Sequence, residues 1–79
     1  MGKITHFFDK ISVAVIELSG TLREGDKIRI KGSTTDFEQT VNSMQIEHET
    51  IEEANAGQSI GLKVSEKVRP GDEVFLVKE

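Results

Sequence analysis

Two aspartates in matching contexts are the residues of this sequence whose types and spacing could do chemistry. Asp26 lies in REGDKI (residues 23–28), and Asp72 lies in RPGDEV (69–74). Both stretches read Arg, any residue, Gly, Asp, a charged residue and a β-branched apolar residue. The pair could be a phosphate cradle, two catalytic carboxylates, or a repeated piece of architecture. A P-loop needs GxxxxGK[ST], and neither copy contains it.

The segment after each Gly-Asp pair favours the architectural interpretation. Apolar residues begin to alternate directly after the Asp in both copies, as at the start of a strand. Gly suits the turn, and an Asp side chain can accept a hydrogen bond from nearby backbone. We therefore expect two equivalent strand entrances, while a catalytic carboxylate pair stays open as the alternative on spacing alone.

The next candidate site is a row of basic side chains at every second position. Lys27, Arg29 and Lys31 share one face of a predicted strand, with Arg23 nearby, and could bind RNA phosphates. The chain as a whole opposes this role, because 14 acids against 10 bases give a net charge of −4. The simpler interpretation is a solvated strand face that resists edge pairing.

The remaining polar residues give no legible catalytic or metal site. An acidic cluster consists of Glu47, Glu49, Glu52 and Glu53. It lacks a calcium-loop pattern, so we interpret it as a solvated rim or a surface for a basic protein partner. His6 and His48 lie far apart in a chain without cysteine, which is a poor basis for zinc. We expect no catalytic residue, no metal and no cofactor.

Length and composition limit the function further. The 79 residues predict a single domain, 1–79, which is too small to enclose a sizeable substrate cavity. The absence of cysteine excludes disulfides and thiol chemistry, and no apolar run is long enough to span a membrane. We expect a non-enzymatic protein of the cytoplasm.

Alternation of apolar and polar residues predicts an all-β fold. In residues 11–15 the β-branched side chains share one face, and strands are also predicted at 27–31, 60–64 and 74–77, the last apolar on both faces. Near Asn42–Ser43 the apolar residues switch from odd-numbered to even-numbered positions. Because side chains of a strand alternate between its faces, this switch predicts a β-bulge within a strand of about 36–49. Residues 50–56 alone look helical, with Thr50 as N-cap and Glu53 as its capping-box partner. Six or seven short strands indicate a small closed barrel.

Three ordered segments resemble domain 2 of the translational GTPases, the β-barrel found in elongation factor Tu. They are SGTLREGDKIRIKG (19–32), VNSMQIEHETIEEANAGQSIGLKV (41–64) and VRPGDEVFLV (68–77). The resemblance covers nearly the whole chain and implies a six- to seven-stranded Greek-key barrel of the elongation factor domain 2 type. Without a nucleotide-binding motif, no nucleotide binding is expected.

The resemblance also sets the functional expectations. THFF, TTDFEQTVNSMQIEHE and GLKVSEKVRPGD are similar to small elongation-factor-like proteins and to the C-terminal barrel of collagenase-like peptidases. One hypothesis is a module that contacts ribosomal or transfer RNA, or a protein, near the translation machinery. The alternative is an accessory barrel that binds a protein partner such as a peptidase. The expected contacts are the phosphate-binding residues Arg23, Lys27, Arg29 and Lys31, and a partner loop with Gly57, Gln58, Ser59 and Gly61.

Phe7 and Phe8 are adjacent, so on a strand they must point to opposite faces. One belongs to the core, and the other is a barrel-end plug or an exposed contact residue. The sequence leaves open which is which.

Overall fold

The computed structural model describes residues 2–42, 44–46 and 49–77, and within these ranges the chain forms strands, turns and loops. The strands are β1 (Gly2–Phe8), β2 (Val13–Leu18), β3 (Leu22–Arg23), β4 (Lys27–Lys31), β5 (Asp36–Thr40), β6 (Met44–Ile46), β7 (Glu49–Ile51), β8 (Glu53–Ala54), β9 (Ser59–Lys63) and β10 (Glu73–Val77). These residues contain no helix that could cross a membrane.

Antiparallel pairing arranges the strands as an all-β barrel, as the sequence predicts. The main sheet has the order β5-β4-β10-β1-β2-β9-β6-β7, and β3 pairs separately with β8. Three neighbouring pairs, β1–β2, β4–β5 and β6–β7, are consecutive in sequence. The last strand, β10, returns to lie between β4 and β1, which is the long-range connection that a Greek-key arrangement requires.

The core is built from the inward row of each strand. Ile28 and Ile30 of β4 are fully buried, and so are Leu62 of β9 and Val74 of β10. Their alternation with exposed residues is the period-two pattern of a sheet with one buried face. The predicted strand at 27–31 is therefore confirmed with its inward face, and the strand predicted at 60–64 is found one residue earlier, at Ser59–Lys63.

The face of β2 that the β-branched residues share is not the core face. Ala14 and Ile16 are fully buried, whereas Val13 and Val15 are only partly buried on the outside. Ile11 lies before the strand, in the turn after β1, and is 60% exposed. The even-numbered residues face inward because they align with the inward residues of β1 and β9 in the register.

The helical turn predicted for residues 50–56 is wrong. Glu49–Ile51 forms β7 against β6, and Glu53–Ala54 forms β8 against β3. The local capping-box pattern around Thr50 and Glu53 is outcompeted by tertiary pairing, because ladder bonds to two other strands replace the bonds of a single isolated turn. These short strands also raise the number of strands in the described residues above the predicted six or seven.

The parity change near residue 42 has a different cause from the predicted bulge. Val41 and Met44 are both buried, as the change of parity requires. However, the strand ends at Thr40, and β6 begins at Met44 with different neighbours, β7 and β9. Ser43, half of the predicted bulge, lies outside the described residues. The register shift that the structure does record lies in β1, between Ile4 and His6.

A glutamine side chain joins β5 to the segment after β9. Gln39 Nε2 donates to the carbonyl of Lys63 at 3.0 Å, and its Oε1 accepts the backbone N–H of Ser65 at 2.8 Å. One side-chain amide thus makes the donor and acceptor bonds that a residue of a neighbouring strand would make. It links two parts of the barrel that the sheet order leaves far apart.

Candidate interaction surfaces

The two Gly-Asp pairs form corners with the same hydrogen-bond pattern. The carboxylate of Asp26 accepts the backbone N–H of Arg23 at 2.9 Å, and that of Asp72 accepts Arg69 at 3.0 Å. In both copies the Asp N–H donates to the carbonyl of the same Arg at 3.1 Å. Each carboxylate is thus occupied by its own turn, which supports the architectural interpretation.

Each corner also exchanges two backbone bonds with one buried residue elsewhere. Gly25 N–H donates to Val41, whose N–H donates to Asp26, both at 2.8 Å. At the second corner, Gly71 N–H donates to Ile4, whose N–H donates to the carbonyl of Asp72, again both at 2.8 Å. The glycines have φ of +95° and +97°, a region in which a side chain is strained.

The repeated hexapeptide produces approximate internal two-fold symmetry. β4 and β10 pair antiparallel, with Arg29 opposite Phe75 at the centre. Since each strand follows its own corner, the two corners lie at opposite ends of this strand pair. Asp72 consequently packs over Gly32 at the end of β4, where a Cβ would overlap the carboxylate. The symmetry explains why so short a chain uses one pattern twice.

The four cations considered for RNA lie on the outside, and acids of neighbouring strands contact three of them. Arg29 holds Asp36 in a bidentate pair at 2.8 and 3.0 Å, and its guanidinium is also 4.0 Å from Glu38. Lys27 lies 3.5 Å from Glu38. Arg23 lies 3.5 Å from Glu53 in β8, away from the β4 face. Lys31 is exposed, between Asp36 and Glu73 in the register.

The four residues of the predicted partner loop are divided between a turn and a strand. Gly57 N–H donates to Leu18 at 2.9 Å, and the side chain of Gln58 accepts the N–H of Asn55 at 2.7 Å. Ser59 and Gly61 belong to β9, opposite Glu17 and Val15 of β2. Among the four, Gly57, Gln58 and Ser59 are exposed.

The ambiguity between the adjacent phenylalanines is resolved. Phe7 is partly buried and packs against the core, whereas Phe8 is 53% exposed. Phe8 and Ile11 form an apolar tip on the β1–β2 hairpin. A non-glycine residue with positive φ, Ser12 at 56°, lies in the turn beside this tip.

Two further exposed apolar side chains lie on opposite faces of β10, and the sequence alone did not single them out. Phe75 is 42% exposed and Leu76 is 36% exposed. The signal was present, because residues 74–77 are apolar on both faces of a predicted strand. An open groove begins beside Phe75 where β1 starts, and Gly2, Lys3, Glu17, Leu18, Ser19, Glu73 and Val74 line its remainder.

The acidic residues do not converge on a metal site within the described part of the chain. Glu52 and Glu53 face Arg23 and Glu24 across an open depression on the surface. Glu49 is exposed on β7, and His6 is exposed on β1. Glu47 and His48 lie outside the described residues, so the interpretation of these two residues remains that of the sequence.

The relatives found by sequence are proteases several times longer than this chain. An uncharacterised protease of Methanocaldococcus jannaschii is 46% identical over 80 residues, which cover 100% of this chain and 20% of that protein. A collagenase of Porphyromonas gingivalis is 42% identical over 77 residues, 95% of this chain and 21% of the collagenase. The chain therefore spans about a fifth of the length of these relatives.

A solved structure confirms the fold. It is the C-terminal domain of a Geobacillus thermoleovorans protein assigned to the U32 peptidases, and it superposes with a TM-score of 0.92 at 18% identity. The match covers 98% of this chain and 90% of that domain. The selenomethionine variant of the same domain gives a TM-score of 0.87.

The family model for domain 2 of elongation factor Tu matches residues 13–74. This range includes both Gly-Asp corners and β2 through the first residues of β10. The chain belongs to the elongation factor Tu domain 2 family of β-barrels.

Proposed function

We propose that this chain is an accessory protein-binding barrel that associates with a peptidase-type catalytic domain and has no catalytic residues of its own. One observation carries the proposal. Relatives that are 42–46% identical to this chain over almost its whole length are named protease and collagenase, and the chain corresponds to only about a fifth of their length. In those proteins the barrel is joined to four-fifths of further polypeptide, which is the partner that we assign to it.

The surface of the barrel supports a protein partner. Phe8, Ile11, Phe75 and Leu76 are large apolar side chains that are at least one-third exposed on a domain of 79 residues. Exposed aromatic and aliphatic side chains of this kind favour protein contacts. The turn bonds of Asp26 and Asp72 leave no assembled carboxylate pair for catalysis, since the corners lie at opposite ends of β4 and β10.

RNA is the second candidate partner, favoured by the shared outward face of Lys27, Arg29 and Lys31. Phosphate contacts there must compete with Asp36 and Glu38, which already contact Arg29. Displacing these acids costs part of the electrostatic gain, and the net charge of −4 adds repulsion at longer range. We therefore rank the protein partner first.

The test has two arms with one charge-reversal variant. The first titrates the chain into the M. jannaschii protease from which the matched 80 residues have been deleted, after circular dichroism has shown that this remainder is folded. The second measures filter binding to ribosomal and transfer RNA at low salt. We expect binding in the first arm, unchanged when Lys27, Arg29 and Lys31 are replaced by Glu. Salt-sensitive RNA binding that this variant abolishes, without binding to the remainder, would replace the proposal by the RNA alternative.

A further inference from the structure

A glycine in the middle of β9 is not required by the barrel. Gly61 does not have a positive φ, and a Cβ added to it would meet Val13 Cγ1 at 3.4 Å and the Gln45 carbonyl oxygen at 3.8 Å, both ordinary contacts. The pairing of β9 with β2 runs through Gly61 without a register shift, so no bulge requires it. Glycine weakens the interior of a strand and often marks a place where another molecule approaches the backbone closely. The reason for Gly61 is therefore expected outside the barrel.

The surroundings of Gly61 on the outside of the barrel are apolar. In the register Gly61 lies opposite Val15, and Phe8 lies opposite Val13. Both valines are partly buried on this outer side, Phe8 is 53% exposed, and Ile11 in the adjoining turn is 60% exposed. We call these five residues the outer apolar face. Because Gly61 has no side chain, the backbone of β9 stays accessible beside the valines.

The outer apolar face lies within the sheet and not at one of its edges. Val15 pairs with β1 on one side and with Gly61 on the other, and Gly61 pairs with Val15 and with β6. Phe8 and Ile11 belong to the hairpin between β1 and β2, at the end of β1 remote from its start at Gly2. A partner must therefore contact this face through side chains and the accessible glycine, not by adding a strand.

The charges around the face favour an acidic partner. Lys10 lies beside Asp9 in the hairpin turn, and Lys63 is the last residue of β9. Both lysines are exposed, and neither makes an ion pair with the residues that the structure describes. Further along the outside, Glu17 lies opposite Lys3, which balances it. The face is thus locally positive, although the chain as a whole has a net charge of −4.

These charges distinguish between the possible occupants of the face. A second copy of this chain, docked through the same face by two-fold symmetry, would bring the lysines of both copies together. RNA or an anionic lipid surface would meet the repulsion of a chain with net charge −4. A protein segment with an apolar side chain and a nearby carboxylate gains apolar burial and charge complementarity without the same long-range repulsion.

We propose that the outer apolar face binds a segment of the peptidase-type partner that places an apolar side chain over Gly61 and a carboxylate near Lys63. The inference rests on the proposed function and specifies its docking surface. Gly61 lets the segment approach the backbone of β9. Phe8 and Ile11 extend the apolar contact toward the tip of the hairpin.

Gly61→Val blocks the face while favouring the barrel. A β-branched residue suits a strand interior better than glycine, and at this position its side chain projects outward from the sheet. We expect G61V to resist urea at least as well as the unmodified chain. With the folded remainder of the M. jannaschii protease as probe, we expect it to bind about tenfold or more weakly. Ser59→Val is the matched control, because it adds the same side chain to the next outward position of β9, on the side away from Phe8.

Two variants at exposed positions test the contacts independently of G61V. Phe8→Ser removes apolar contact and should weaken binding about tenfold. Lys63→Glu reverses the charge that faces the carboxylate and should weaken binding about tenfold at low salt and less at high salt. Lys31→Glu, on the exposed face of β4, is the charge control and should bind as the unmodified chain does.

The outcomes separate the docking surface from the proposed function. If the unmodified chain binds the remainder and either G61V or K63E binds it equally well, the docking surface is wrong and the proposed function stands. The docking surface is also wrong if G61V instead abolishes self-association in sedimentation equilibrium or binding to anionic phospholipid vesicles. If the unmodified chain does not bind the remainder, both are wrong.

Discussion

Asp26 and Asp72 hold equivalent positions at two corners related by the antiparallel pairing of β4 with β10. Each carboxylate accepts the N–H of the arginine three residues earlier, at 2.9 and 3.0 Å. Asp72 is 6% exposed, whereas Asp26 is only partly buried. The same hydrogen bonds are therefore made at one buried corner and at one more exposed corner. Mutation of each aspartate can measure how burial changes the contribution of these bonds to stability.

Replacing either aspartate by alanine should lower the free energy of unfolding, and Asp72→Ala should have the larger effect. Loss of a charge-assisted bond at the buried corner leaves the Arg69 N–H without its carboxylate, at a cost of about 2–3 kcal/mol; the more exposed Asp26→Ala should cost about 1 kcal/mol. Urea denaturation measures both values. Wild-type stability in both variants would contradict a structural role for the corners.

Gly32 and Asp72 should be energetically coupled. A Cβ at residue 32 overlaps the Asp72 carboxylate, so Gly32→Ala should destabilise the barrel by about 1–3 kcal/mol. In the Asp72→Ala background the same change should cost less, because the overlapping group is gone. Gly20→Ala is the matched control, since a Cβ there has no atom of the described residues within 4 Å. Additive effects of the two changes in a double-mutant cycle would disprove the contact.

The glycines of the corners should tolerate alanine equally poorly. Gly25 and Gly71 have φ of +95° and +97°, and forcing an L side chain into the left-handed region costs about 1–2 kcal/mol. Neither position meets a steric obstacle among the described residues, so backbone strain alone sets the effect. Thermal unfolding of G25A and G71A should give similar losses. A clear difference between them would show that the two corners are not equivalent.

Loss of the hydrogen bonds that the Gln39 side chain makes should destabilise the barrel. Gln39→Glu removes the donor to Lys63 and places a carboxylate beside a carbonyl oxygen, while Gln39→Leu removes both bonds. We expect losses of about 1–2 kcal/mol in each variant, with faster amide exchange at Ser65. Gln45→Ala, on the exposed face of β6, is the control. Unchanged exchange at Ser65 would show that the link does not hold these segments together.

The sequence predicts most of this fold where alternation is strong and the pattern repeats. From the sequence alone, Ile28 and Ile30 identify an inward row, and the repeated Gly-Asp context identifies both corners. The helix prediction for residues 50–56 is wrong because it used only local sequence, whereas the strands observed there depend on pairing with β6 and β3. The sequence places Val13 and Val15 on one face of β2 but does not say which face is inner, because both are as apolar as the core residues and only the register with the neighbouring strands decides.

The interaction surfaces were less predictable for a related reason. Which of Phe7 and Phe8 is exposed depends on the register shift in β1, which no local pattern announces. The ion pairs of Arg29 depend on the alignment of β5 with β4, so a period-two row of cations could be recognised but not its acidic neighbours.

Competition between barrels tests most directly whether this chain binds the peptidase-type domain as the barrel of its relatives does. A fluorescent derivative of the chain is bound to the folded remainder of the M. jannaschii protease and followed by anisotropy. We expect the matched 80 residues of that protease, added as a separate chain, to displace the label completely. Absence of a complex, or a complex that those residues do not displace, would show that the chain is not an accessory barrel of this kind.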